Sequence, residues 1–277
     1  MEYEQQHVIP RGYTSAWAAP NAPPGNLGKV WVIQKADTTD RELKSPKKYF
    51  WESERYTIME GGERQLNVEK ALQMTETEFG KVFNIALKTN APITPEHRVA
   101  LAFFIAATKT RTNYFPDLVR PLLRRVQEQA SRLAAKDNRE SALVQEIEDN
   151  LPKLNAESVS VGMTGMADIL IQMKLTIFTT DDDAGFVTGD QPCYVWSPPG
   201  WHPGLSNRAT ELSMPLSPHH LAVYTWDKQC PMYSKMTTEN VNRANARTIS
   251  NCRKEFVSWK AIVRDEWFQP DAVKGAA

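Results

Sequence analysis

A chain of 277 residues with 41% hydrophobic and 24% charged side chains has the composition of a folded globular protein, with enough apolar residues for a sizeable core. Its 33 basic and 33 acidic residues cancel to a formal net charge of zero, which argues against a mainly electrostatic grip on nucleic acid or anionic lipid. The three cysteines, Cys193, Cys230 and Cys252, form no CxxC pair, which argues against a disulfide framework or a cysteine zinc site and fits a reducing cytosol.

The N-terminus "MEYEQQHVIPRGYTSAW" lacks a basic start followed by an apolar run, so no signal peptide is expected. The longest apolar run, Val99 to Ala107, is about half of the roughly 20 residues a membrane helix needs. The expectation is a soluble, cytoplasmic protein without a membrane span.

Residues 1–65 read as an N-terminal arm followed by strands. Pro10 restricts Ile9 and stiffens the arm, "KVWVIQK" (29–35) alternates as a strand, and "RYTIM" (55–59) reads as another. Residues 66–175 read as a helical centre. Asn67 is a good cap, and Val68, Leu72, Phe79, Val82, Phe83 and Leu87 recur at helical spacing. Thr94 and Pro95 open a second helix, "EHRVALAFFIAATKTRTNYF", apolar nearly all round and therefore central, which Pro116 ends or kinks. Further helices follow through Arg120, Arg124 and Arg125, through "ESALVQEIEDNL" after a break at Asn138, and through Val159, Met163, Met166, Ile169, Leu170 and Met173. Methionines at that spacing are gap-filling core residues.

From Leu175 the period changes to two. "LTIFTT" and "FVTG" flank "DDDAG" as a hairpin signal, and "CYVW", "HLAVYTW" and "FVSWKAIV" continue the strand series around a helix from Thr237 to about Glu255. Residues 176–277 thus read as C-terminal strands with one helix. The whole chain, 1–277, is expected to be a single α+β domain: a central helical bundle packed on a mainly antiparallel sheet built from the N- and C-terminal thirds.

P-loop, GxGxxG, HExxH and GxSxG motifs are all absent from the sequence. The run Asp181, Asp182, Asp183 does not fit a calcium loop, which wants glycine at position six and glutamate at twelve. His219 and His220, adjacent before a strand, should point to opposite faces, and His202 lies in the turn-rich "SPPGWHPG". Three residues stand out. Asp190 in "FVTGDQPC" sits on a proline-stiffened turn at a strand end, where a carboxylate can bind a cation, move a proton or hydrogen-bond its own backbone. Arg111 ends the most buried helix and needs a partner for its charge. His7 lies on the stiffened arm, with Tyr13 and Trp17 available to anchor that arm on the core.

In their order, "HVIPRGYTSAW", "KVWVIQK", "RYTI", "FIAATKTRT", "FVTGDQP" and "MPLSPHHLAVY" resemble the family catalogued as domain of unknown function 4238. The resemblance covers His7, Pro10, Tyr13, Arg111, Asp190, Pro192 and the Pro215 to Pro218 segment. It departs at Gly189, where the family pattern has serine, and at Gln191, where it has asparagine. The family carries no assigned activity, so the resemblance strengthens the site and not a reaction.

Two readings follow. In the favoured one, His7, Asp190 and Arg111 line a cleft of a hydrolase-like enzyme acting on a phosphate-containing or other anionic substrate, with Asp190 as base or metal ligand, His7 as acid or base and Arg111 as anion clamp. In the alternative, the protein is a non-catalytic binding or interaction module, and the same residues form a structural polar network. Neither cofactor, metal nor oligomeric state is assigned. A solvent-open cleft with both His7 nitrogens uncommitted to backbone favours the first reading, and a dry, hydrogen-bonded network favours the second. The arm carrying His7 is expected to fold back onto the strand end carrying Asp190.

Overall fold

The computed structural model describes residues 5–20, 28–53, 58–60, 63–112, 125, 128–129, 132, 159–200, 204–226 and 230–269. Arg55, Pro116, Arg120, Arg124, Asn138, "ESALVQEIEDNL" and His202 lie outside them.

The arm forms β1 (Gln5–His7), a helical turn α1 (Arg11–Thr14) after Pro10, and a 3-10 turn at Ser15–Trp17. β2 (Val30–Gln34) realises the expected strand within 29–35. Val30 and Val32 enter the main core while Ile33 enters a second cluster, so both faces of this strand are covered. β3 (Arg41–Lys44), with the sequence RELK, is an edge strand, and its charges discourage further pairing. β4 (Trp51–Ser53) pairs antiparallel with β1, and β5 (Ile58–Glu60) with β6 (Glu63–Gln65).

Helix α2 (Asn67–Ile85) starts with Asn67 as its first residue, Leu66 taking the cap position, and buries Val68, Leu72, Phe79 and Val82 as the spacing requires. Helix α3 (Pro95–Arg111) starts where expected: Thr94 Oγ1 accepts from His97 N at 3.2 Å, and Thr94 N donates to His97 Nδ1 at 3.4 Å. Its Leu101, Ala102, Phe104, Ile105, Ala106 and Ala107 are buried, and Phe104 stacks on Phe79 with centroids 3.9 Å apart. Helix α4 (159–172) adds Val159, Met163, Ala167 and Leu170 to the same core, with Met173 just beyond it.

The C-terminal strands are β7 (Lys174–Thr179), β8 (Thr188–Gly189), β9 (Tyr194–Trp196), β10 (Glu211–Ser217), β11 (His220–Thr225), β12 (Tyr233–Lys235) and β13 (Glu255–Ser258). Helix α5 (Thr238–Asn251), capped by Thr237, precedes β13. One sheet runs β12-β7-β11-β10-β9, with β12 parallel to β7 and the other pairs antiparallel. A second sheet, β3-β2-β13-β8, joins the two ends of the chain. The α+β architecture is therefore the expected one, with the strands divided between these two sheets and the separate β1-β4 and β5-β6 pairs.

The expected hairpin across "DDDAG" does not form: β7 and β8 belong to different sheets. Long-range bonds direct residues 180–187 away from β7. Phe186 N donates to Pro218 O (2.8 Å), Val187 N to Asn245 Oδ1 (3.0 Å), and Asn245 Nδ2 to Gly185 O (2.9 Å). Gly185 takes φ +64, and a Cβ there would lie 2.6 Å from the Pro218 carbonyl oxygen, so glycine alone fits. The main core unites Ile9, Tyr13 and Trp17 with α2, α3, α4 and the inner face of the five-stranded sheet. Among the described residues no helix is long and apolar enough to cross a membrane.

Candidate functional site

The N-terminal arm is anchored by its two large aromatics. Trp17 is fully buried and donates from Nε1 to Phe186 O at 2.7 Å. The Tyr13 hydroxyl donates to Pro215 O (2.7 Å) and shares a 2.6 Å bond with Thr188 Oγ1, two residues before Asp190. The arm thus packs on the strand leading to Asp190. Pro215 is tolerated inside β10 because β9 pairs only with residues 211–213 on that side.

Arg111, only 3% exposed, reaches the arm from the end of α3. Its Nε donates to the His7 carbonyl oxygen at 3.1 Å and its Nη2 to the same oxygen, while Nη1 bonds Glu76 Oε1 at 2.7 Å. Glu76 and the half-buried Glu69 stand two turns apart on α2, so both carboxylates face this guanidinium. Burial raises the Glu69 carboxyl above its usual range, opposed by the Arg111 charge. The His7 imidazole is lowered, first by burial and then by the Arg111 charge. An aspartate beside it would have had the reverse effect. One ring bond involves the Lys47 backbone, and Nε2 is buried without a partner among the described residues.

Asp190 is committed to backbone. Its Oδ1 accepts from Arg253 N (2.9 Å) and its Oδ2 from Lys254 N (2.8 Å), immediately after α5 ends. Asn251 Nδ2 bonds Gln191 O (2.7 Å) and Cys193 O (3.0 Å), and Lys109 Nζ donates to Cys193 O (3.0 Å). The turn 190–193 is therefore fastened to the end of α5 and to α3. Gly189 follows from the same packing. A Cβ there would lie 2.5 Å from Cys252 Sγ and 2.7 Å from Glu255 O, which accounts for a glycine at this position.

A cavity of about 380 Å³ opens beside this turn, lined by Val8, Ile9, Tyr49, Phe50, Asp190 and Arg253 among others. Phe50, at φ 56, occupies the left-handed region that favours glycine, and its carbonyl accepts from Val8 N at 2.7 Å. His7 and Arg111 meet at one end of the arm, and Asp190 joins the next arm residues across this cavity.

The remaining sequence candidates are tied up in the structure. Asp181 pairs with Lys235, Asp182 with Arg264 (2.8 Å) and Asp183 with Lys260. His219 and His220 point apart: Nδ1 of His219 approaches Thr180 O (3.2 Å), whereas Nδ1 of the buried His220 meets Ser217 Oγ (2.8 Å). Burial pushes the His220 imidazole down to about 4 and the Cys193 thiol up to about 12.

A second site was not singled out by sequence motifs. On the five-stranded sheet, Leu175, Ile177, Leu212, Met214, Ala222 and Tyr224 face the core, so the residues next to each of them along the strand face the other way. Pairing register aligns Tyr194, Ser213, Val223 and Thr176 in one row across four strands on that outer face. Leu221, Phe178 and Ser234 form the adjacent row. α5 crosses this face with Asn240, Arg243, Ala244 and Arg247, one stripe at helical spacing. Small hydroxyl residues in the sheet leave a hollow of about 340 Å³ beneath that stripe, a volume within the range of small-ligand sites.

At its wall, Arg247 and Glu211 have side chains 16% and 18% exposed and stand 3.9 Å apart, too far for a hydrogen bond. Arg247 Nε is buried without a partner among the described residues. Burial raises the Tyr194 phenol, and the Arg247 charge opposes that shift.

Fold and geometry together define an α+β protein with a clamped N-terminal arm and a ligand-sized hollow over one sheet. The chain belongs to the family described as protein of unknown function (DUF4238), which matches residues 5–260. No significant match is found among curated proteins or among solved structures.

Proposed function

We propose that the protein binds a small molecule in the hollow between α5 and the five-stranded sheet, and that His7, Arg111 and Asp190 serve as its structural frame. The observation that carries this reading is the hollow itself, floored by Thr176, Ser213 and Ser234 and roofed by Arg243 and Arg247. The commitment of both Asp190 oxygens to backbone N–H groups supports a structural aspartate. The unpaired cysteines, two of them buried, fit a cytoplasmic setting.

A hydrolase-like action on an anionic substrate at the cavity beside Asp190 is favoured by one observation, the left-handed backbone of Phe50 at its wall, since such strain concentrates at functional sites. A thermal-shift screen against organic acids, nucleotides, sugar phosphates and divalent metals separates the two, because a ligand of the native state raises apparent stability by mass action. A shift abolished by Ser213→Phe and at most weakened in Asp190→Asn supports the hollow. A shift lost only in Asp190→Asn supports the hydrolase reading.

A further inference from the structure

Resting on that reading of the hollow, the charges at its wall narrow the chemistry of its occupant. Arg243 and Arg247 are four residues apart on α5 and so project from one helix face over the sheet. Arg243 Nη2 bonds Glu239 Oε1 at 3.2 Å, outside the hollow's lining, and this arginine is one-third exposed. Arg247 is more enclosed, and its nearest carboxylate oxygen stands beyond hydrogen-bond distance. A guanidinium carries five donors in a planar fork suited to a carboxylate. Here a largely enclosed guanidinium leaves part of that fork unused.

Opposite it, the lining is apolar and aromatic: Phe178, Leu221 and Val223 on the floor, Tyr194 and Trp196 on β9. A flat hydrocarbon body fits between such surfaces, with hydroxyls of Ser213 and Thr176 beside it. Glu211 sets the upper limit of ligand charge. It lines the same hollow, so a second negative charge on the ligand would face a carboxylate across a partly dehydrated space.

We infer that the hollow takes a singly charged aromatic carboxylate, its carboxyl group held by Arg247 with Arg243 beside it and its ring lying between Tyr194 and the floor of the sheet.

The test uses the full chain and three probes of matched shape: phenylacetate, neutral phenylacetamide and dianionic phenyl phosphate, titrated by calorimetry at pH 7. Phenylacetate is expected to bind, with the amide and the phosphate each weaker by about tenfold or more, the equivalent of one charged hydrogen bond. Arg247→Gln should weaken phenylacetate roughly ten- to hundredfold while the circular dichroism spectrum stays unchanged. Arg247→Lys, which keeps the charge and loses the fork, should fall between. Ser213→Phe, which fills the hollow, should abolish binding.

Equal affinity for the acid and the amide, tighter binding of the phosphate, or an unaffected Arg247→Gln variant overturns the carboxylate inference. If Ser213→Phe still removes that binding, the hollow as a ligand site survives. Binding that Ser213→Phe leaves intact overturns both. Absence of binding by all three probes overturns the carboxylate inference, and the broader thermal-shift screen then decides the hollow independently.

Discussion

Replacing Arg111 by methionine isolates what the arm clamp contributes. The substitution keeps an unbranched side chain of similar reach and removes the charge, both bonds to the His7 carbonyl and the 2.7 Å pair with Glu76. Breaking one side of a buried ion pair costs about 3–5 kcal/mol, most of it from the charge left behind. The Glu76 side chain is 31% exposed and regains part of its hydration, which places the expected loss near the lower end, about 3 kcal/mol. For a chain of this size that corresponds to a fall in Tm of roughly 6–12 °C, measurable by calorimetry. The arm should also loosen locally, so trypsin should cut faster at the exposed Arg11, next to the clamp. Glu76→Gln in the Arg111→Met background should cost less than in the wild type, since its charge has already lost its partner. A loss below about 1 kcal/mol with an unchanged rate of cleavage at Arg11 would refute the clamp.

Asp190→Asn should unfold cooperatively but lose about 1–2 kcal/mol in urea titration, because one amide oxygen replaces two charged acceptors and the NH2 group faces an N–H; loss of the cooperative transition would contradict this. Gly189→Ser should destabilise by about 1–3 kcal/mol through the approach to Cys252 Sγ, and Cys252→Ala in the same chain should recover part of the loss. For His220 the unfolded chain takes up a proton near pH 6.5, whereas the native ring resists until about 4. Its contribution is therefore present above pH 6.5 and lost as pH falls toward 4, by on the order of 2 kcal/mol after solvent screening, so His220→Gln should flatten the stability profile across that window.

The parts of the fold that were legible carry local signals. Val68, Leu72, Phe79 and Val82 repeat at helical spacing, Thr94-Pro95 is cap chemistry, and Tyr13 and Trp17 are too large to leave in solvent. β10 carries Pro215, a residue that argues against a central strand; its place depends on β9 ending early, a tertiary fact. The hairpin across "DDDAG" was misread because the bonds that unmake it come from Pro218 and Asn245, far along the chain. Asp190 was legible as a stiff turn, but its partners are the N–H groups of Arg253 and Lys254, which every residue except proline possesses and no pattern advertises. The hollow was hidden for the same reason. Thr176, Ser213 and Ser234 become neighbours only through strand register, although Asn240, Arg243 and Arg247 already form a polar stripe on α5.

These features are connected through α5. Asn251, four residues after Arg247, is bonded to Gln191 O and Cys193 O, and the next two N–H groups beyond Cys252 are held by Asp190. The same turn leads at Cys193 directly into β9, whose Tyr194 and Trp196 line the hollow. Thr188, just before the turn, is in turn held by Tyr13 of the arm. The turn 190–193 thus fixes the helix carrying the guanidiniums and the strand carrying the aromatics relative to one another. On the proposed reading, Asp190 is a positioning residue that touches no ligand, because the turn it anchors joins the helix carrying Arg247 to the strand carrying Tyr194. Loosening that turn should weaken an occupant held by both walls more than one held by the sheet floor alone, because only the former depends on the distance the turn maintains.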